Sequence, residues 1–280
     1  MKLVHTVEEA QAAVTAVRSE GLSIGLVPTM GALHEGHITL VRRAREQCGF
    51  VVVSVFVNPT QFGPNEDFDK YPRTLDADAD KCREAGVDLV FAPSASEMYP
   101  EGFDSWVDVN GPTQVLEGLS RPIHFRGVTT VCTKLFNITG ADYAFFGKKD
   151  YQQLVVIRKM VHDLNAHVQV VPVDTVREPD GLAMSSRNRY LSPEERQAAL
   201  VLSKSLAAAR DAYQSGQRDT QAIQLLVENL IKAEPLARID YVAVVDSETL
   251  QPIGNIERLA VVLLAVRVGA TRLIDNTELI

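Results

Sequence analysis

Two histidines stand three positions apart where a short apolar run gives way to an amphipathic segment. Residues 28–37 read PTMGALHEGH, with His34 and His37 at the expected start of a helix. The free N–H groups and the dipole of a helix N-terminus favour an anion, and Gly36 lets the backbone approach one closely. Two imidazoles can donate hydrogen bonds to phosphate oxygens as charge develops during attack at phosphorus. The segment therefore predicts a phosphate-binding loop.

The same loop admits other interpretations. Gly31 and Gly36 have P-loop spacing, but His37 and Ile38 stand where that loop needs Lys and Ser or Thr, so it is not a Walker loop. A metal site on the two histidines is disfavoured because no third ligand is apparent. A strand–helix turn with two surface histidines remains the alternative.

Side-chain amides follow the most apolar strand-like run of the chain, FVVVSVFV at residues 50–57. Pro59 ends this expected strand and leaves Asn58 and Gln61 at its carboxyl end. Amides donate and accept hydrogen bonds at once, so they can bind the hydroxyl and carboxylate groups of a small polar substrate. The alternative is an ordinary Asn-Pro turn.

Two further polar segments follow in the chain. In FGKKDYQQ, residues 146–153, a lysine can neutralise phosphate, Asp150 can cap a helix or bind ribose, and Gln153 lies on the first helical turn. In MSSRN, residues 184–188, two hydroxyls and Arg187 suit the β- and γ-phosphates or departing pyrophosphate. Taken alone, each segment is better explained without a ligand, the first by Asp150 as a helix N-cap beside solvated lysines and the second by an ordinary polar loop.

The elements that position these segments alternate in the first half of the chain. Apolar runs predict strands at 24–27, 50–57, 87–91, 143–146 and 167–171, and periodicity predicts helices at 7–20, 75–85, 127–138 and 151–164, with another from about 38. This alternation predicts an α/β fold: a doubly wound, Rossmann-like parallel sheet with right-handed crossovers. Such sheets bind ligands at the carboxyl ends of their strands.

The pattern changes near residue 176. Ser192, Pro193 and Glu195 form a strong helix start, and the predicted helix continues to about residue 213. A second helix at 220–232 and strands at 238–245, 259–268 and 271–274 complete the chain. We therefore predict two domains, residues 1–176 and a smaller α+β C-terminal domain at 177–280.

Composition narrows the function classes. The 280 residues carry 28 Lys and Arg against 36 Asp and Glu, a net charge of −8, which disfavours a nucleic-acid partner. The longest apolar run, residues 259–266, is too short to span a membrane, and without a targeting segment we expect the cytoplasm. Cys48, Cys82 and Cys132 are odd in number and widely spaced, which predicts buried thiols and no disulfide framework.

The motifs together resemble a known family. PTMGALHEGH is similar to the HxGH signature of nucleotidylyltransferases and class I aminoacyl-tRNA synthetases, and MSSRN is similar to a shortened KMSKS loop. With NPTQF, RPIHFRGV at residues 121–128 and FGKKDYQQ, they resemble the pantoate–β-alanine ligase family over essentially the whole chain.

The resemblance implies an activity. Such an enzyme joins D-pantoate to β-alanine at the expense of ATP through a pantoyl adenylate, releasing AMP and pyrophosphate. Residues 1–176 would bind nucleotide and pantoate, and residues 177–280 would act as a lid. Mg²⁺ is expected to enter with ATP, and a homodimer is implied.

The resemblance also assigns roles to individual residues. His37, as an acid, His34 and Lys149 receive catalytic roles. ATP binding is assigned to Met30, Gly31, Ala32, Leu33, His34, Glu35, Gly36, His37, Gly147, Lys148, Lys149, Asp150, Val176, Met184, Ser185, Ser186 and Arg187. Asn58, Gln61 and Gln153 are assigned to pantoate, with Gln61 bordering β-alanine. Metal ligands and the role of Arg121 stay open.

Competing functions share the HxGH loop. A nucleotidylyltransferase would transfer AMP to a phosphorylated acceptor, whose site needs several cations where this sequence offers amides. A tRNA synthetase is disfavoured by the net charge of −8 and the small second domain. A nucleotide-binding regulator would bind ATP without releasing pyrophosphate.

Overall fold

The chain divides into two units, and the first contains a sheet of six parallel strands. The structure, a computed structural model, describes residues 1–64 and 66–280. The first unit comprises residues 1–148 and 153–174, and the second comprises residues 149–152 and 175–280.

The elements up to residue 173 alternate as the sequence predicts. In chain order they are β1 (Lys2–Val4), α1 (Val7–Ser19), β2 (Ile24–Thr29), α2 (Glu35–Gln47), β3 (Phe50–Val55), α3 (Leu75–Glu84), β4 (Leu89–Phe91), α4 (Ala95–Met98), α5 (Glu117–Ser120), α6 (His124–Thr139), β5 (Tyr143–Gly147), α7 (Tyr151–Asp163) and β6 (Gln169–Val173). Short 3-10 helices lie at Pro59–Gln61 and Lys148–Asp150.

The strand order is β1-β4-β3-β2-β5-β6, and every pairing is parallel. The β-branched strand β3 lies near the middle, where helices cover both faces of a parallel sheet and apolar side chains are needed on each. From β2 the chain moves to β3 and β4 on one side, and it later returns to β5 on the other side. The loops after β2 and β5 therefore diverge, which creates the crevice where doubly wound sheets bind ligands. The predicted fold of this unit is confirmed.

The second unit has the α+β architecture predicted for the C-terminal part of the chain, and it comprises residues 149–152 and 175–280 instead of 177–280. It contains α8 (Pro193–Gln214), α9 (Thr220–Lys232) and an antiparallel sheet of β7 (Ala237–Asp246), β8 (Ala260–Val268) and β9 (Thr271–Leu279), in the order β7-β8-β9. Ser192 and Glu195 form the capping box that starts α8. The apolar sides of the two helices and the sheet share one core, which includes Leu206, Val227 and Leu264.

Element bounds differ from the sequence predictions at several places, including α6, which begins at His124 instead of residue 127, and β6, which spans Gln169–Val173 instead of 167–171. Strand β1 was not predicted, since three residues carry too little pattern to separate them from a loop. Strand β4 begins two residues later than predicted, and β9 continues five residues further, to Leu279. Asp275 and Asn276 make the end of β9 look like a surface loop, yet both are buried.

The three cysteines, Cys48, Cys82 and Cys132, are buried free thiols, as predicted. Burial raises the pKa of Cys82 and Cys132 to about 12, which removes them as nucleophiles. Of the helices in residues 1–64 and 66–280, none combines the length and apolar character needed to cross a bilayer.

Candidate active site

The histidine loop lies between β2 and α2, at the switch point of the sheet. α2 begins at Glu35, with His34 as its N-cap residue in extended conformation. His37 lies in the first turn, so both imidazoles sit at the positive end of the helix dipole. Their ring centroids are 4.0 Å apart.

One hydrogen bond fixes the proton position on neutral His37. The backbone N–H of His34 donates to Nδ1 of His37 at 3.2 Å. A backbone N–H can only donate, so Nδ1 must be unprotonated and the proton of the neutral ring lies on Nε2. His37 therefore presents an N–H donor on the side of the ring away from the loop backbone.

A buried carboxylate holds the loop that carries the histidines. Asp78, on α3, is 0% exposed and accepts hydrogen bonds from the backbone N–H groups of Ala32 at 2.9 Å and Leu33 at 2.7 Å. The hydroxyl of Thr74 donates to the same carboxylate at 3.1 Å, and Lys81 Nζ donates to the carbonyl of Leu33 at 2.5 Å. Helix α3 thus sets the backbone path into His34.

The loop backbone has a positive φ at two neighbouring residues, which strains only the second, Ala32. Gly31 has φ of +81°, and a Cβ there would lie 3.1 Å from both the Asp78 carboxylate and Val55. Ala32 also has a positive φ, of 50°, which costs an alanine on the order of 1 kcal/mol. The two N–H bonds to Asp78 offset this strain, so the conformation depends on α3.

The predicted amides form a saturated network after β3. Asn58 caps the 3-10 helix Pro59–Gln61 and is only 1% exposed. Its Oδ1 accepts from Thr60 N, Thr60 Oγ1 and Tyr99 OH, and its Nδ2 donates to Gln61 Oε1 at 3.0 Å and to the Gly127 carbonyl at 3.1 Å. Gln61 Nε2 lies 3.1 Å from the sulfur of Met30. The structure therefore brings Asn58, Gln61 and the start of the histidine loop together.

A second set of contacts holds the backbone of Gln61. His124 Nδ1 donates to the Gln61 carbonyl at 3.0 Å, and Arg121 reaches the same oxygen at 3.4 Å. Arg121 also forms a bidentate ion pair with Glu66, at 2.8 and 2.6 Å. Burial, together with the charge of Arg121, lowers the pKa of His124 to about 4, so it is a neutral donor. Arg121, whose role the sequence left open, thus contacts the backbone of the amide segment.

Helix α6 packs directly on the same segment at a glycine. A Cβ on Gly127 would lie 2.6 Å from the carbonyl carbon and oxygen of Thr60 and 2.7 Å from Cα of Gln61. Backbone atoms cannot yield as a flexible side chain can, so any side chain at position 127 would displace Gln61. Gly127 of RPIHFRGV is therefore needed for the close packing of α6 on NPTQF.

The other predicted residues of the first unit follow β5. Gly147 ends that strand, Lys148 pairs with Asp174 at 2.9 Å, and Gln153 lies in the first turn of α7. Strand β2 lies between β3, which precedes Gln61 in the chain, and β5, which precedes Gln153. With strands about 4.8 Å apart, β3 and β5 are separated by about 10 Å. The strand order thus assigns the two glutamines to segments that follow the two neighbours of β2.

Within the second unit, Val176 and Met184 are brought together. The backbone N–H of Met184 donates to the Val176 carbonyl at 2.9 Å, and Arg177 bridges Ala183 in antiparallel fashion. Arg177 makes a bidentate ion pair with the buried Asp275 of β9, at 2.7 and 3.0 Å. This pair anchors the hairpin that contains both predicted nucleotide contacts.

Strand β9 also holds the lysine segment. Asn276 Nδ2 donates to the carbonyl of Lys149 at 2.8 Å, and Lys149 Nζ lies 3.8 Å from Asp150. The MSSRN segment continues into a 3-10 helix, Ser186–Tyr190, capped by the Ser185 hydroxyl, which accepts from Arg187 N at 3.3 Å. Polar side chains of β9 therefore hold the backbone of Lys149 and, through Arg177, the hairpin that precedes MSSRN.

Sequence reasoning missed several residues that hold the site. Asp78, Lys81 and Tyr99 lie far along the chain from the groups they contact, and DADAD at residues 76–80 is typical of a solvated helix face. Arg121, His124 and Gly127 lie in RPIHFRGV, which the sequence analysis singled out by resemblance, but the sequence did not indicate what these residues do.

The comparisons with known proteins agree on one family. The family model described as pantoate-beta-alanine ligase matches residues 2–278. A pantothenate synthetase of Pelotomaculum thermopropionicum is 57% identical over 279 residues, covering 100% of this chain and 99% of that protein. The crystal structure of pantothenate synthetase from Thermus thermophilus has a TM-score of 0.95 at 50% identity, covering 100% and 99% of the two chains.

A further solved structure includes ligands. The pantoate-beta-alanine ligase of Francisella tularensis, described as complexed with beta-gamma ATP and beta-alanine, has a TM-score of 0.80 at 32% identity and covers 99% of this chain and 97% of its own. Sequence and fold therefore agree along the whole length, and the chain belongs to the pantoate–β-alanine ligase family.

Proposed function

We propose that this ligase works in two steps at the histidine loop. The carboxylate of D-pantoate attacks the α-phosphorus of ATP, a C–O–P bond forms, and pyrophosphate leaves. The free amine of β-alanine then attacks the activated carbonyl, a C–N bond forms, and AMP leaves. The observation that carries this proposal is the placement of His34 and His37 at the N-terminus of α2, beside the amides that follow β3.

The chemistry explains why an adenylate is needed. A carboxylate is a poor acyl donor because its leaving oxygen is too basic, and adenylation replaces that oxygen with AMP. No covalent enzyme intermediate is required. The residues then act by positioning the reactants and by stabilising charge on the phosphate as it develops.

The histidines are proposed to act at the reacting phosphate. The Nε2–H of His37 is a donor whose ring is fixed by the backbone of His34, which in turn is held through Asp78. A donor held in place before the reaction requires no reorganisation as negative charge grows. His34 supplies a second imidazole 4.0 Å away, and residues 30–37 line the nucleotide.

Gln61 and Gln153 are proposed to hold pantoate on either side of β2. Their amides suit a hydroxy acid, which presents hydroxyl donors and carboxylate acceptors. Asn58 supports Gln61 through its own hydrogen bond to Oε1, and Gln61 borders the β-alanine position.

The remaining residues are proposed to bind ATP. Lys149 neutralises phosphate, Asp150 binds ribose, and the backbone of Val176 contacts adenine. Gly147 and Lys148 contact the nucleotide. Its phosphates are covered by Met184, Ser185, Ser186 and Arg187. The support for these roles is the anchoring of residues 149 and 176–184 by polar side chains of β9.

Mg²⁺ is proposed to enter as part of the nucleotide substrate. Among the described residues, no three His, Cys, Asp or Glu side chains group closely enough to form a protein cage for a metal ion. Mg²⁺ keeps several waters and binds phosphates readily, so ATP and water would supply its ligands.

The assay that tests the function is ATP-dependent coupling of D-pantoate and β-alanine. We expect equimolar AMP and pantothenate, identified by nucleotide chromatography and product mass, with no ADP. A nucleotidylyltransferase would instead retain AMP in a dinucleotide product. A nucleotide-binding regulator would bind ATP and release no pyrophosphate with any acid.

Replacing Gln61 or Gln153 with alanine is expected to weaken pantoate binding more than ATP binding. Each loss leaves substrate polar groups unpaired at a cost of about 1–3 kcal/mol, or roughly 5- to 150-fold in the pantoate KM. The measurement is the separate KM for pantoate and for ATP in each variant. Equal losses for both substrates, or a loss for ATP alone, would contradict the assignment.

We also propose a cytoplasmic homodimer, supported by the family resemblance. Light scattering of the purified protein at assay concentration measures the oligomeric state, and a monomer would contradict the proposed homodimer.

A further inference from the structure

The orientation of the Asn58 amide is fixed by two backbone groups. Its Oδ1 faces the N–H of Thr60 at 3.3 Å, and a backbone N–H can only donate. Its Nδ2 faces the carbonyl of Gly127 at 3.1 Å, and a carbonyl can only accept. Exchanging the two amide atoms would set donor against donor and acceptor against acceptor in a fully buried position.

This fixed orientation determines which atom Gln61 can turn towards a ligand. Asn58 Nδ2 is a donor, so the Gln61 atom 3.0 Å from it must be the acceptor Oε1. The Nε2 group then points the other way, where Met30 sulfur, a weak acceptor, lies at 3.1 Å. Gln61 therefore offers N–H donors, and a ligand oxygen is a better partner for them than sulfur.

Tyr99, which follows α4, is the distant member of this network. Its hydroxyl donates to Asn58 Oδ1 at 2.9 Å. Burial raises the pKa of Tyr99, so the phenol keeps the proton that it donates. Its ring packs against Phe56, Phe103 and Trp106, with centroids 6.2, 5.0 and 6.4 Å away, which holds the hydroxyl in place.

We propose that Tyr99 is a positioning residue that acts through Asn58 to present Gln61 as a hydrogen-bond donor to an oxygen of pantoate. The relay runs from the Tyr99 hydroxyl to Asn58 Oδ1 and from Asn58 Nδ2 to Gln61 Oε1, over side chains 41 and three residues apart in the chain. It favours substrates that present an acceptor oxygen to Gln61. The proposal rests on the proposed role of Gln61 in binding pantoate.

The test begins with Tyr99→Phe, which removes the hydroxyl and keeps the ring. Loss of one hydrogen bond is expected to raise the pantoate KM about three- to tenfold. The kcat and the KM for ATP are expected to stay within about twofold. Tyr143→Phe, on β5 and outside the network, is the matched control and is expected to leave all three constants unchanged.

A double-mutant cycle separates the relay from a structural effect. If Tyr99 acts through Gln61, Tyr99→Phe has no further effect in a Gln61→Ala background. An equal KM increase in both backgrounds would overturn the relay, as would an unchanged pantoate KM in the single variant. Thr60→Val removes another donor to Asn58 Oδ1 and is expected to act in the same direction.

The same experiment separates this proposal from the assignment on which it rests. If Gln61→Ala leaves the pantoate KM unchanged, the role of Gln61 itself is wrong. If Gln61→Ala raises it and Tyr99→Phe does not, Gln61 binds pantoate and the relay is wrong. Thermal unfolding of each variant shows whether the chain is folded at the assay temperature.

Discussion

Replacing His37 or His34 with alanine is expected to lower the rate of AMP transfer to pantoate by at least about 100-fold. That is the scale of losing one preorganised donor at a developing oxyanion. Folding is expected to survive, because Asp78 and Lys81 still hold the loop backbone when the hydrogen bond from His34 N–H to the His37 ring is lost. The measurement is single-turnover formation of pyrophosphate from ATP and pantoate, with thermal unfolding beside it.

A matched control is available on α7. His162 is 89% exposed and lies next to Asp163, away from the loop. His162→Ala is expected to leave the single-turnover rate unchanged, which separates a specific role from a general effect of losing an imidazole. Full activity with alanine at both His34 and His37 would contradict the proposed role in phosphate chemistry.

The first unit could be predicted well because its signals are local. The apolar run at β3 and the capping box of Thr6 and Glu9 at α1 each lie within a few residues of the element they specify. Alternation of such elements restricts a chain to few topologies, since parallel crossovers are right-handed. Strand β1 was missed because pairing with β4 across the whole unit, rather than its own sequence, makes it a strand.

The end of β9 was missed for a different reason. Asp275 and Asn276 are polar, and strand patterns are recognised by apolar or alternating residues. Their burial makes sense only with their partners, Arg177 and the carbonyl of Lys149, which are 98 and 127 residues away. A single sequence contains no pattern that pairs residues at such distances.

The residues of the site also differ in whether local sequence or distant contacts identify them. The histidines and amides can be recognised in the sequence, because residue types that suit phosphate or a hydroxy acid follow predicted strands. In the sequence, Asp78 is one of several carboxylates on a predicted helix. Only the fold shows that it accepts hydrogen bonds from the N–H groups of Ala32 and Leu33. Motifs therefore indicate the groups that we propose to contact substrates, whereas the groups that hold them become apparent only in the fold.

The largest expected effect concerns the order of the reaction. If pantoate is activated first, the enzyme exchanges labelled pyrophosphate into ATP when pantoate and Mg²⁺ are present and β-alanine is absent. Omitting pantoate is expected to abolish the exchange. The readout is label in ATP, separated from free pyrophosphate by chromatography.

We expect this exchange because different parts of the site suit the nucleotide and the acid. The loop at the N-terminus of α2 suits attack at the α-phosphate, and the amides beside it can present a carboxylate there. Reversal requires only the adenylate and pyrophosphate, and β-alanine takes no part in that half-reaction. The His37→Ala variant provides the internal check, since its exchange rate is expected to fall by the same factor as its forward rate.

Each competing reaction gives a different pattern of label. A protein that only binds nucleotide shows no exchange under any condition, and a ligase acting through an acyl phosphate would release ADP and exchange phosphate instead. A nucleotidylyltransferase would exchange only with its phosphorylated acceptor. Exchange that strictly requires β-alanine would falsify the two-step order even if pantothenate were the final product, because the amine would then have to be present before the α-phosphate is attacked.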